Sequence, residues 1–329
     1  MWHRRIAAVV TVALLGLGAT ACGSDESEGA SGSDGQTGNG AFPVTVETEF
    51  GDVTVEEEPA RVVALGWGDA ETALALGVEP VGASDWIEFG GDGVGPWLEG
   101  AYDESPTMID TLEPEMEKIA ALEPDLILDV NSSGEQDRYD TLSKIAPVIG
   151  VPPGKKNYAA GWRDQLETVA SALGKTDRAE ELVTKVEDEF AAQRKAHPEF
   201  EGKSIAIAAR TSEGWGAYTD ADQRIQFAEA LGFTNSEAIQ KRAGDSFSVD
   251  ISQEQLGLLD ADLTVAIPIY IDEAKITDDP LFQQIPSVQD GRVITFGDDA
   301  VRKAFSTGTV PALLYALKRV PPLFAKALQ

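Results

Sequence analysis

A chain of 329 residues with 43% hydrophobic and 25% charged side chains has the size and composition of a globular protein with two domains. Its formal net charge is -30 at pH 7, from 26 basic and 56 acidic residues. This excess of negative charge repels phosphate backbones and anionic headgroups, which argues against a nucleic-acid partner.

Residues 1–21 have the pattern of an export signal, in which Arg4 and Arg5 precede an apolar run that ends in small residues. This run is too short to span a membrane. Cys22 follows directly and is the only cysteine of the sequence. The segment resembles a bacterial lipobox, although Ala19 stands where leucine is usual. The resemblance implies a lipidated Cys22 that anchors the chain to the extracytoplasmic face of the cell membrane.

A plain secretory signal followed by an incidental cysteine is the alternative. A lone thiol in an exported chain has no disulfide partner, and this favours the lipid anchor. Residues 23–41 contain almost no side chain that can be buried, so we predict a flexible polar tether over 22–41. The folded part is predicted to begin at Phe42.

Strands alternate with helices over residues 42–154. A hairpin is predicted first, over VTVETEFGDVTVEE, and the later apolar runs VVAL, VEPVGAS, DLILDV and PVIGV are typical of strands in a parallel sheet. The segments between them have helical patterns, which implies right-handed crossovers. We therefore predict an N-terminal α/β lobe with a mainly parallel sheet.

Residues 199–329 repeat this alternation and predict a second α/β lobe. Its predicted strands are KSIAIAAR, DLTVAIP and RVITF, and its predicted helices include QRIQFAEALG, ISQEQLGLL and one terminal helix over about 312–328. Residues 155–198 lie between the lobes and are predicted to be helical. The second helix of this connector, from Thr176 or Asp177 to His197, has about 20 residues and a length of roughly 30 Å.

One segment occurs twice, once in each predicted lobe. EKIAALEPDLIL spans residues 117–128, and EQLGLLDADLTV spans residues 254–265. A glutamate opens both copies, and an aspartate follows just before the apolar run. Ser252 and Gln255 form a capping-box pattern that would fix the first turn of the second copy.

The order of these segments resembles the class III substrate-binding proteins of ABC importers, which serve ferric siderophores, cobalamin and haem. The resemblance is strongest in VVALGWGDAETALALGVEPVG, LEPEMEKIAALEPDLIL and DISQEQLGLLDADL, and it extends over nearly all of the chain after residue 42. Within the class, the sequence is most similar to ferric-siderophore binders of actinobacteria. The resemblance implies two Rossmann-like lobes, joined by a single long helix, with a ligand cleft between them.

In this family one glutamate from each lobe docks onto arginines of a dimeric permease. The matching positions are Glu117 and Glu254, and two equivalent basic sites on the permease would require two such acids from a monomeric binder. The alternative is that both glutamates only complement the helix dipole, which typically contributes about 0.3–1 kcal/mol. The family match favours docking.

Aromatic and basic side chains near strand ends are the candidates for ligand contact, because open α/β sheets hold ligands at the carboxyl ends of their strands. We assign these candidates to loops and expect about half of them to line the cleft, the others packing in the core. They are Trp67, Trp86, Trp97, Arg210, Trp215, Tyr218, Arg242, Phe247, Tyr270, Arg302 and Phe305.

A ferric chelate has an apolar rim and oxygen atoms around the metal. Aromatic side chains would bury the rim, and arginines would hydrogen-bond or neutralise the oxygens. The arginines favour a negatively charged chelate or pair with neighbouring acids, and the sequence leaves both readings open. His3 and His197 fall in the signal and at the end of the connecting helix, so we predict no histidine-based metal site and no cofactor.

Three alternatives remain at this point. A haem or cobalamin binder has the same fold, and Tyr218 or Tyr270 is a candidate haem ligand. A secreted hydrolase with a carboxylate pair belongs to a different class, but no two acids pair convincingly, and neither G-x-S-x-G nor a phosphate loop is present. An adhesion or scaffold protein would have no use for cleft aromatics. We therefore predict a binding protein and not an enzyme.

Overall fold

A computed structural model describes residues 41–244, 246–296 and 299–329. The predicted signal, Cys22 and the tether up to residue 40 lie outside the described residues. The described ranges fall within one compact unit of the chain. Among these residues no helix is both long enough and apolar enough to cross a bilayer.

The N-terminal lobe has a hairpin followed by a five-stranded parallel sheet with strand order β5-β4-β3-β6-β7. Its strands are β1 (Val44–Thr48), β2 (Gly51–Val55), β3 (Val62–Ala64), β4 (Gly82–Ser84), β5 (Thr107–Ile109), β6 (Leu126–Leu128) and β7 (Val148–Ile149). Its helices are α1 (Asp69–Ala75), α2 (Met116–Ala121) and α3 (Gln136–Leu142), with a 3-10 turn at Pro96–Leu98. The predicted hairpin and parallel lobe are confirmed.

Two helices then cross to the second lobe, α4 (Trp162–Ala172) and α5 (Thr176–Ala196). The 21 residues of α5 agree with the predicted connecting helix. Its buried side chains recur at helical spacing, because one face packs on the core while the other meets water. They are Ala179, Leu182, Val183, Val186 and Phe190.

The C-terminal lobe has a mixed sheet with strand order β11-β9-β8-β12-β13, and β10 also pairs with β8. Its strands are β8 (Ser204–Arg210), β9 (Trp215–Tyr218), β10 (Thr234–Asn235), β11 (Ser248–Ile251), β12 (Leu263–Pro268) and β13 (Val293–Thr295). Its helices are α6 (Gln223–Ala230), α7 (Glu237–Gln240), α8 (Ala274–Thr277), α9 (Pro286–Gln289), α10 (Asp299–Thr307), α11 (Val310–Leu317) and α12 (Val320–Ala327). Further 3-10 helices span Pro198–Phe200, Gln253–Leu259 and Phe282–Gln284.

Three local predictions in this lobe are wrong. The segment with Trp215 and Tyr218 is strand β9, antiparallel to both β8 and β11, and not a loop. The segment with Arg302 is helix α10 and not a loop. The single terminal helix is two helices, because Pro321 lacks a backbone N–H and cannot continue α11, and α12 begins at Val320.

The repeated segments occupy matching places in the two sheets. α2 precedes β6 and the 3-10 helix Gln253–Leu259 precedes β12, and each of these strands is fourth in its sheet order. The Asp125 carboxylate accepts bonds from the backbone N–H groups of Ala60 (2.8 Å) and Arg61 (2.9 Å), just before β3. Likewise, Asp262 accepts a bond from the backbone N–H of Ser204 (2.8 Å), where β8 begins. The repeated aspartate thus fixes the start of the neighbouring parallel strand in both lobes.

A buried carboxylate fixes the turn between β3 and α1. Asp69 is fully buried and accepts bonds from the Gln165 side-chain amide (2.7 Å) and from the backbone N–H groups of Val130 (2.8 Å) and Gly66 (3.2 Å). A Cβ atom at residue 66 would lie 2.3 Å from the Asp69 carboxylate, so only glycine fits there. The network therefore holds α1, the end of β6 and α4 together.

Burial raises the pKa of Asp69 from 3.8 to about 7, although the bonds from Gln165 and Val130 oppose the shift. Between about pH 4 and about pH 7 the folded chain keeps a proton that the unfolded chain has lost. The free energy of unfolding therefore falls as pH rises through this window and levels off above it.

Replacing Asp69 by asparagine removes this ionisation and keeps a side-chain oxygen as acceptor. We expect Asp69→Asn to flatten the decline in melting temperature between about pH 5 and about pH 8. Its amide NH2 replaces one of two oxygens that accept hydrogen bonds, so the melting temperature should be lower than that of the parent chain at low pH. Thermal melts monitored by circular dichroism across this range measure the effect. Asp52→Asn, at an exposed hairpin position, is the matched control. An equal dependence of the melting temperature on pH in Asp69→Asn and in the parent chain would contradict the expectation.

Candidate functional site

A cavity of about 750 Å³ lies at the carboxyl ends of strands from both lobes. The N-terminal lobe contributes the loops after β3 and β4, and the C-terminal lobe contributes the ends of β9, β12 and β13 with parts of α6 and α10. Six of the eleven predicted ligand contacts line this cavity. They are Trp67, Trp86, Tyr218, Phe247, Tyr270 and Arg302.

Two stacked indoles form the N-terminal wall. The rings of Trp67 and Trp86 lie 6.1 Å apart at an interplanar angle of 12°, and the ring of Tyr158 meets the edge of Trp86 at 5.2 Å. The indole N–H of Trp86 donates to the Leu65 carbonyl (2.8 Å), which fixes the orientation of its ring. The Trp67 carbonyl accepts from the Gln165 amide (2.8 Å), so the loop that carries Trp67 belongs to the Asp69 network. This wall is a rigid apolar surface.

The C-terminal wall combines aromatic rings with a buried ion pair. Tyr218 and Phe247 stack with their centroids 6.5 Å apart, and the guanidinium of Arg224 lies 3.9 Å from the centroid of Tyr218. Arg224 pairs with Asp222 at 3.1 Å, and both side chains are buried. Burial raises the pKa of Asp222 and of Tyr218, and the Arg224 charge opposes both shifts. Asp222 therefore serves as the counterion of the Arg224 guanidinium.

Charged residues of α10 form the rim. Arg302 and Lys303 both pair with the carboxylate of Asp299. Partial burial raises the pKa of Asp299, but the hydrogen bonds and charges of these two cations lower it on balance. The Lys303 ammonium also donates to the backbone carbonyl of Glu88 (2.7 Å), which connects α10 with the N-terminal lobe. Tyr270 stands at the rim with 72% of its surface exposed.

Five predicted contact residues do not line this cavity. Trp97 donates to the buried Glu71 carboxylate (3.0 Å) and packs on Tyr315. Trp215 is buried against Phe282, at 5.4 Å and 14°. Of the remaining three, Phe305 lies in α10 and Arg210 ends β8, whereas Arg242 lies in a turn, as predicted.

Phe305 is buried in the core, since it is on the inner face of α10 and packs against Phe227, Phe296 and Phe324. Arg210 ends β8, where its guanidinium donates to the Thr211 carbonyl and lies 6.0 Å from the ring of Trp215. Arg242 is exposed in the turn after α7 and donates to the Ala238 carbonyl (3.0 Å). Their role as ligand contacts has no support from this geometry.

Several residues at the cavity were absent from the sequence-based candidates. Arg224 is the second residue of α6, and the pattern that marks it is the capping aspartate two residues earlier, whose side chain accepts from the Arg224 backbone N–H (2.8 Å). Lys303 follows Arg302 directly in the chain, and both line the cavity. Tyr158 lies in the first residues of the predicted connector and has a left-handed backbone with φ 60°. Tyr158 does not line the cavity itself but packs on Trp67 and Trp86, and no local pattern identified it.

Glu117 and Glu254 are both exposed, each in the first turn of its helical segment. The predicted capping box is confirmed, since the Ser252 backbone N–H donates to the Gln255 side chain (3.2 Å). Neither glutamate belongs to the cavity lining. Within the described ranges, no three His, Cys, Asp or Glu side chains are grouped to hold a metal ion.

Comparison with known proteins places this geometry among binding proteins. YfiY of Bacillus subtilis (strain 168), named as a probable siderophore-binding lipoprotein, is 28% identical over 289 residues, covering 83% of this chain and 84% of YfiY. Among solved structures, PiaA from Streptococcus pneumoniae TIGR4 in complex with ferrichrome has 27% identity and a TM-score of 0.74. That match covers 87% of this chain and 98% of PiaA.

A periplasmic solute binding protein from Mycobacterium smegmatis has 27% identity and a TM-score of 0.76 over 87% of this chain and 99% of the other. These matches confirm the predicted class III fold of two α/β lobes with a connecting helix. The model of the periplasmic binding protein family matches residues 62–300, most of the chain. The chain therefore belongs to the periplasmic binding protein family.

Proposed function

We propose that this protein is the substrate-binding lipoprotein of an ABC importer and that it captures a ferric siderophore in the cavity between its lobes. The observation that carries the proposal is the cavity itself, which joins aromatic walls from both lobes to arginine side chains. The names of YfiY and of the PiaA complex with ferrichrome support the same class of ligand.

The chemistry of the cavity suits a chelate whose iron is already coordinated. Stacked Trp67 and Trp86 present flat apolar surface to the carbon rim of a siderophore. Arg302 has five N–H donors, of which some remain for oxygen atoms around the iron after its bonds to Asp299 and the Pro268 carbonyl. The siderophore supplies all ligands of the iron, so the protein needs no metal ligands and no catalytic residue.

Delivery to the membrane completes the proposed role. The lipid anchor at Cys22 and the tether over 22–41 would hold a monomeric binder near the extracytoplasmic face of the cell membrane. Glu117 and Glu254 would each meet an arginine of the permease dimer. Their exposure, and their matching places before β6 and β12, support this pairing.

Ligand capture is measurable through the indoles of the cavity. We expect ferric siderophore to quench tryptophan fluorescence at submicromolar concentration, because the chelate would lie against Trp67 and Trp86. The double substitution Trp67→Phe with Trp86→Phe should remove most of the quenching and weaken binding about tenfold, or ~1.4 kcal/mol.

Trp162→Phe, at the start of α4 and away from the cavity lining, is the matched control and should keep the full response. Indifference of the parent protein to every ferric siderophore, or turnover of a substrate, would refute the proposed function. Quenching by haem or cobalamin alone would instead identify the protein as a haem or cobalamin binder of the same fold.

Docking is tested by charge reversal at both glutamates. We expect Glu117→Arg with Glu254→Arg to abolish uptake of radioactive ferric siderophore by cells, because two like charges would face the permease arginines. Affinity of the purified double variant for the chelate should stay at the parent value, since neither residue lines the cavity.

Glu56→Arg with Glu57→Arg is the control, because it makes the same change in net charge at exposed positions after β2. Loss of uptake in both pairs would assign the effect to net charge and not to docking. Loss of chelate binding in the Glu117 and Glu254 variant would contradict the assignment of these residues to the permease.

A further inference from the structure

The cations of the cavity all have carboxylate partners. Arg224, Arg302 and Lys303 are the basic residues among the described side chains that line it. Asp222 faces the first, and Asp299 faces the other two. The basic side chains therefore add hydrogen-bond donors to the cavity but little net positive charge.

Acidic side chains in the same lining have no such compensation. Glu88, Asp272 and Glu273 also line the cavity, and within the described ranges no basic side chain pairs with them. With Asp222 and Asp299, five acids stand against three bases around this cavity. This local excess of negative charge has the same sign as the net charge of the whole chain, -30. An anionic ligand would meet repulsion both on approach and when bound.

We propose that the cavity selects ferric siderophores of the trihydroxamate class, neutral or carrying one positive charge, over anionic ferric chelates. The inference rests on the proposed function and deepens it. Three hydroxamates balance the charge of ferric iron, whereas three catecholates or citrate ligands leave a negative complex. The hydroxamate oxygens still accept hydrogen bonds from Arg302, and the unpaired acids favour a cationic tail.

Equilibrium titration by tryptophan fluorescence tests this selection with four probes. Ferrichrome is neutral, ferrioxamine B carries one positive charge, and ferric enterobactin and ferric citrate are anionic. We expect both hydroxamates to bind at least about tenfold more tightly than both anionic chelates, a difference of ~1.4 kcal/mol. Raising the salt from about 50 mM to about 500 mM should narrow this gap, because screening weakens the repulsion.

Removing the charge of Asp299 tests whether this carboxylate contributes to the selection. Asp299→Asn leaves Arg302 and Lys303 with uncompensated charge, so the affinity for ferric enterobactin relative to ferrichrome should rise about tenfold. Asp188→Asn makes the same change in net charge on α5, outside the cavity lining, and should change the ratio by less than about twofold. Asp299 is 64% exposed, so the variant should fold, and a thermal melt verifies this.

The outcomes separate the inference from the proposed function. The selection is supported if the hydroxamates bind more tightly and if Asp299→Asn, but not Asp188→Asn, raises the affinity for ferric enterobactin relative to ferrichrome. Equal or tighter binding of an anionic chelate overturns the selection and leaves the siderophore role intact. An equal rise in this relative affinity in Asp299→Asn and Asp188→Asn also overturns the selection, because the effect would then come from net charge. Failure of all four probes to bind overturns both.

Discussion

The structure depends on one buried carboxylate. Asp69 receives hydrogen bonds from the turn after β3, from the end of β6 and from α4. Burial disfavours its charged form, and these donors recover part of that cost. The bonds of Asp69 and of the Trp67 carbonyl restrain the loop that carries one of the two stacked indoles. Rigidity at this point lowers the ordering cost of binding.

The second carboxylate of α1 extends the same constraint to the other end of the chain. Glu71 is buried and accepts from the Gly95 backbone N–H (2.9 Å), from the Trp97 indole (3.0 Å) and from the Thr309 hydroxyl. Burial raises its pKa, and these three donors oppose the shift. Thr309 precedes α11, which packs on α5, so the helices that join the lobes are connected to the cavity wall. The relative position of the two aromatic walls is thereby restricted.

The internal repeat combines a structural contact with a surface acid. The aspartate of each copy, Asp125 or Asp262, bonds the backbone where the adjacent parallel strand begins. The glutamate that opens each copy is exposed. A lobe built twice on one plan thus repeats both a structural contact and a surface acid. The structural role of the aspartate was not predicted, because its partners lie 58–65 residues away in the chain.

The sequence by itself determined the alternation of strands and helices, the two α/β lobes, the connecting helix and the class of the family. These follow from hydrophobic period and from motif order, which are local properties of the chain. Only the tertiary structure decided which side chains meet at the cavity. It buried Phe305, turned Trp215 toward Phe282, and brought Arg224 and Lys303 to the site. It also gave Arg302 an acidic partner. The side-chain orientation and ionic partner of a residue depend on helix phase and on crossovers between distant segments, which no local pattern encodes.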